Sequence, residues 1–203
     1  MSRFGPLSAA LTLASLVVVV ALTACGRDAK TTASPTAGTG YVGTSVAHYA
    51  DALPPPVAET VRLVLSASPN GVIDRLRFTR EPCVRLQQVG SPPPCRTEEA
   101  EGAVVEGFLV VSCDGGPQRR DVAERIVRGL LDPSLALFAV YHPLSGPNRD
   151  QRFHLLFRRS DAGAAPGVWF EASADGSITS AGSTCASVTD TVKPVSEFLV
   201  PPN

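Results

Sequence analysis

Lysine is almost missing from this sequence: of 18 basic residues only Lys30 and Lys193 are not arginine. Excess charge is missing too. The formal net charge is −1 at pH 7, which gives no long-range pull toward a polyanion and speaks against nucleic acid as a partner. Histidine is scarce, with only His48, His142 and His154. His142 and His154 flank one connection, but a metal there would need a further ligand such as Asp150 or Asp161. That spacing matches no metal signature. There is no Cys-x-x-Cys pair for zinc, and no Gly-x-Ser-x-Gly, Ser-x-x-Lys or His-Glu-x-x-His motif. Ser145, in Leu144-Ser145-Gly146-Pro147, reads as a turn residue. Glu98, Glu99 and Glu101 read as a solvated loop. No catalytic residue, metal or cofactor is therefore assigned, although carboxylates brought together by folding would leave no local signature. No internal repeat is visible, and only one long apolar run occurs.

That run lies near the start. Met1-Ser2-Arg3 precedes apolar residues from about Leu7 to Leu22, interrupted by Ser8, Thr12 and Ser15. A charged start, an apolar middle and small residues before a cleavage point make a secretory signal. The run is shorter than the ~20 consecutive apolar residues of a spanning helix. It ends in Leu22-Thr23-Ala24-Cys25, which resembles the lipobox of bacterial lipoproteins. The resemblance covers residues 1–25. It implies that the signal 1–24 is removed and that Cys25 carries a diacylglyceryl group. The expected location is then the cell membrane, anchored by lipid on the extracytoplasmic side. A single acyl chain binds a bilayer only marginally, whereas two anchor it stably.

Removing residues 1–24 from the 203 leaves 179, enough for one domain with a linker. Gly26 to Gly40 has almost no apolar bulk and reads as a flexible tether. The expected organisation is thus signal 1–24, lipidated cysteine and tether 25–40, and one domain 41–203. Cys83, Cys95, Cys113 and Cys185 remain, an even number suited to an oxidising compartment. Four cysteines allow three connectivities. The short loop stiffened by Pro92-Pro93-Pro94 favours Cys83 with Cys95, and hence Cys113 with Cys185.

Hydrophobic patterning supplies the elements. A short helical turn over His48–Leu53 is expected to stop at Pro54-Pro55-Pro56. Val61–Leu65 and Val72–Thr79 read as a hairpin about Pro69-Asn70-Gly71. Pro82 to Ala100 reads as a loop with a short strand, Val84 to Val89. Ala103–Val111 reads as a strand covered on both faces. Asp121 to Leu131 reads as the principal helix, with Asp121 and Glu124 as a capping box. Leu135–His142, a strand about Phe153, Leu155 and Phe157, and Val168–Ala172 before Asp175-Gly176 follow. A pairing segment near Ser187 to Val192 closes the sheet. The expected fold class is α+β: a mainly antiparallel sheet of five to seven strands with one principal helix on one face.

Strand alternation sends Arg75 and Arg77, and Arg152, His154 and Arg158, away from the apolar side. Arg75, Arg77, Arg152 and Arg158 are the candidate binding residues, because guanidinium groups suit carboxylates and phosphates. The expected function is that of a non-enzymatic envelope lipoprotein binding an envelope protein or a cell-wall polymer. An envelope-polymer hydrolase with unidentified carboxylates, and an accessory or sensor lipoprotein of a transport or signalling system, are the alternatives.

Overall fold

Two adjacent prolines open the helix Pro55–Leu65. The computed structural model describes residues 49–111, 113, 115–159 and 166–202. Cys25 with its lipobox, the segment 25–40, His48 and Asp161 lie outside them. Helix α1, Pro55–Leu65, has proline in its first turn, where a fixed φ and a missing N–H cost nothing. Its apolar residues Val57, Val61 and Val64 recur at helical spacing and are fully buried. Helix α2, Pro69–Ile73, follows directly. The expected hairpin over Val61–Leu65 and Val72–Thr79 is therefore wrong. Five residues do not separate a period of two from one of 3.6, and Val57 sets the true period. Of the second hairpin strand only Leu76, as a single bridge to Ile178, and Thr79, paired with Gly107, join the sheet.

Among the described residues seven strands make one sheet: β1 Thr79–Pro82, β2 Val104–Val111, β3 Gly116–Arg119, β4 Leu135–Tyr141, β5 Arg152–Arg159, β6 Pro166–Ser173 and β7 Ile178–Ser187. The order is β1-β2-β7-β6-β5-β4, with β3 also paired to β2. Every pairing is antiparallel except β2 with β7. The chain is thus a mixed α and β protein with a mostly antiparallel sheet. Between β3 and β4 lies helix α3, Arg120–Leu130, as long as α1 at 11 residues. Two helices, not one, bury Val57, Val61, Val64, Ala123 and Val127 in a core with Phe108, Leu155, Phe157 and Phe170. No capping box starts α3: Arg119 is its N-cap, without a side-chain cap bond, and Glu124 is taken by Arg120 at 3.1 Å.

The other face of the sheet is covered near its β4 end. Helix α4, Val188–Val192, places Val188 and Val192 against Phe138, Ala139, Tyr141 and Leu156, with Phe198 packed beside them. The expected pairing segment there is a helix, because Ser187 caps it by accepting from the Asp190 N–H. The strand lies upstream, in β7, whose small residues gave no apolar pattern. They suit a central position. An added Cβ at Gly182 would stand 1.7 Å from the Val111 carbonyl oxygen, so only glycine allows this approach of β7 to β2. At the other end, β2 is not covered on both faces, since Val104 and Leu109 are exposed.

Cys83 bonds Cys95, and Cys113 bonds Cys185. Between Cys83 and Cys95 only Val84 pairs, bridging to Pro94, so the expected strand Val84–Val89 is a loop. Glu99 is not a solvated loop residue. It accepts from both terminal nitrogens of Arg119, at 2.6 and 2.8 Å, and the pair ties the segment after Cys95 to β3. Arg119 and the Arg96 N–H hold its carboxyl below the usual range. Among the described residues no helix is long and apolar enough to cross a membrane.

Candidate functional site

The antiparallel register of β4, β5 and β6 sets Tyr141 opposite His154 and His154 opposite Glu171. Alternation places all three on the face opposite Phe153 and Leu155. On β7 a register shift beside Glu171 and Ala172 frees Thr179 to turn toward the same point. The result is a buried carboxylate with a full set of donors. Glu171 accepts from Nε2 of His154 at 2.9 Å, Nε of Arg152 at 2.8 Å, the Arg152 Nη2, and the Thr179 hydroxyl at 3.0 Å. Burial alone would raise its pKa. The bonds and charges of His154 and Arg152 outweigh that and bring it down to about 2. The His154 ring stacks on Trp169, with centroids 5.3 Å apart and planes 6° apart, and packs on Tyr141.

Arg152 joins this centre to the connection between β4 and β5. Its carbonyl oxygen lies 2.8 Å from Nδ1 of His142. A carbonyl only accepts, so Nδ1 carries the proton. His142 lines a cleft of about 530 Å³ with Leu144, Arg149, Glu197 and Phe198. A second cleft of about 520 Å³ is lined by Arg77, Asn148, Gln151, Arg152, Ser173 and Asp175. The short 3₁₀ turn Arg149–Gln151 contributes to both. Asn148 caps that turn in the left-handed region, at φ 52°, a conformation that favours asparagine over most residues. The Asp175 carboxyl is held below its usual range chiefly by Ser177, and also by the charge of Arg77.

Of the four arginines expected to share a face, Arg77 and Arg152 line one cleft. Arg75 does not join them. Its Nη1 lies 3.4 Å from the Pro56 carbonyl and from the Thr60 hydroxyl, bracing α1. Arg158 stands over the Phe138 ring, 5.7 Å from its centroid. His142 and His154 bond to different partners, Arg152 and Glu171. Among the described residues no group of three His, Cys, Asp or Glu side chains is placed to hold a metal ion.

Sequence reasoning missed Glu171, Thr179, Asn148 and Gln151. One signal existed: Glu171 is the lone acid in Val168-Trp169-Phe170-Glu171-Ala172, and a charge inside an apolar strand demands a partner. Chemically, the centre can hold charge in place and present Arg152 in a fixed orientation. Held near 2, Glu171 cannot donate a proton at neutral pH, the role one carboxyl of a hydrolase pair must fill. No protein-family model matches the chain, and neither does any curated protein or any solved structure.

Proposed function

We propose that this protein is a lipid-anchored cell-envelope lipoprotein whose domain binds a carboxylate- or phosphate-bearing envelope partner and performs no chemistry on it. The convergence of Arg77 and Arg152 on one cleft carries the reading, with the amides of Asn148 and Gln151 beside them. Arg152 is pre-positioned by Glu171, so ordering it costs little on binding. Arg77 is exposed and reaches into solvent for an incoming anion. The signal and lipobox pattern, together with two disulfides, support a location outside the cytoplasm. Cys25 is the anchor in this reading, and an envelope protein or a cell-wall polymer is the partner.

The cleft is tested by nuclear magnetic resonance with two probes, a short neutral peptide with a free C-terminal carboxylate and the same peptide amidated. The carboxylate form should shift the side-chain signals of Arg77, Asn148 and Gln151, and Arg77→Gln should weaken binding about tenfold, the worth of one charge-assisted bond. Equal binding of both peptides, or an unchanged affinity in Arg77→Gln, removes the cleft from consideration. The anchor is tested by fractionating cells that express Cys25→Ala. Retention in the membrane as firm as that of the parent would rule out an acyl anchor on Cys25.

A further inference from the structure

Two large apolar side chains stand further into solvent than any others among the described residues: Leu86 at 75% and Val89 at 80% exposure. Both belong to the loop closed by the Cys83–Cys95 disulfide. The loop is braced. Val84 N–H donates to Pro93 and Cys95 N–H to Val84, at 3.0 and 2.9 Å. The Ser91 hydroxyl and the Gln88 backbone close its tip, with contacts of 2.7 and 2.8 Å. Pro93 is seated on β2, where a Cβ at Gly107 would meet its Cγ at 2.7 Å. Leu109, two residues along the same face of β2, is exposed as well. From Leu86 to Pro94 no residue is ionisable.

We infer that this loop inserts into the bilayer surface, with Leu86 and Val89 entering the boundary between head groups and acyl chains. The inference rests on the anchored reading above. Twenty-four positions separate Cys25 from Tyr49, whose side chain lies in the core. Even fully extended, that many residues reach at most about 80 Å, so a domain anchored at Cys25 stays within reach of the membrane surface. Tethering raises the local concentration of lipid enough for a weak contact to be occupied. The tip is exposed and uncharged. A fluid bilayer needs no complementary shape, whereas a protein partner would need a matching pocket. The braced loop also loses little freedom on insertion. Leu144, the exposed large apolar residue on the β4–β5 connection, instead shares its cleft with Arg149 and Glu197. It lies on the connection at the opposite end of the strand order from β1 and β2.

The test uses the full lipidated chain in phosphatidylcholine vesicles whose acyl chains carry bromine, a contact quencher of tryptophan. Trp169 is the only tryptophan, so Leu86→Trp is made with Trp169→Phe, and Leu144→Trp with Trp169→Phe is the comparison. Emission at position 86 should fall at least twofold and that at 144 should not. No quenching at 86 in protein that floats with the vesicles overturns the loop and leaves the anchor standing. Equal quenching at 86 and 144 also overturns it, since that reports proximity alone. Failure to float overturns the anchor and the inference with it. A second measurement keeps Trp169: in the Leu86→Asp, Val89→Asp double variant, the lipidated protein should transfer between vesicles about tenfold faster. An unchanged transfer rate overturns the loop.

Discussion

Replacing Glu171 with Gln should destabilise the protein by about 3 kcal/mol at pH 7, and the loss should shrink in acid. The carboxyl titrates near 2 when folded, against 4.5 as its ordinary value. That difference corresponds to about 3 kcal/mol. Arg152 keeps 32% of its side chain in water, so it is not wholly stranded when its partner goes. The cost therefore belongs at the lower end of the ~3–5 kcal/mol typical of a broken buried pair. The sign in pH follows from proton uptake. Between about 4.5 and 2 the unfolded chain holds a proton at this position that the folded chain does not. Stability from Glu171 is thus complete above about pH 5 and is lost as pH falls through that window. Gln has no such segment. By pH 3 about 2 kcal/mol of the gap should have gone, while every other carboxylate titrates alike in both proteins and cancels. Trp169, stacked on His154, reports unfolding by its fluorescence. In urea the midpoint at pH 7 should drop by about 1–2 M. Midpoints equal at pH 7, or a gap as wide at pH 3 as at pH 7, would show that Glu171 is not the buried ionised centre described.

Gly182→Ala forces a methyl group onto the Val111 carbonyl, backbone that cannot give way. It should cost about 3 kcal/mol or more and break the parallel pairing of β2 with β7; ordinary expression with an unchanged melting temperature would contradict the placement of β7. Replacing Cys83 and Cys95 together by Ser opens a loop of sequence separation 12. That should cost about 3 kcal/mol, or roughly 6–12 °C in a thermal melt, and no change in melting temperature would show that the loop needs no closure. Val127→Ala, at a fully buried position on α3, should cost about 2 kcal/mol, while Arg125→Ala on its exposed face stays within about 0.5 kcal/mol. Equal effects in urea titration would mean that the helix faces the other way.

Patterns that repeat within a few residues were readable in the chain. The strands of Leu135–Tyr141 and Arg152–Arg159 and the helix before Pro133 announce themselves by period, because each buries a stripe of bulky side chains. The short loop between Cys83 and Cys95, stiffened by prolines, pointed to its own closure. The lipobox resemblance needs no fold at all. Helix α1 is not legible in this way, because five residues cannot separate a period of two from one of 3.6.

What only the tertiary structure decided is whatever depends on residues far apart in sequence. β7 is a strand because β2 and β6 flank it, and its small side chains are a consequence of that position, not a local preference for it. Glu171 becomes a buried anion because three strands align Arg152, His154 and Thr179 around it. Arg77 meets Arg152 across 75 positions of sequence, while Arg75, two residues away, is turned to α1. Local propensity acts through neighbouring backbone and holds over a turn or a strand. A site is built from long-range pairing, whose register is fixed by burial of the whole sheet.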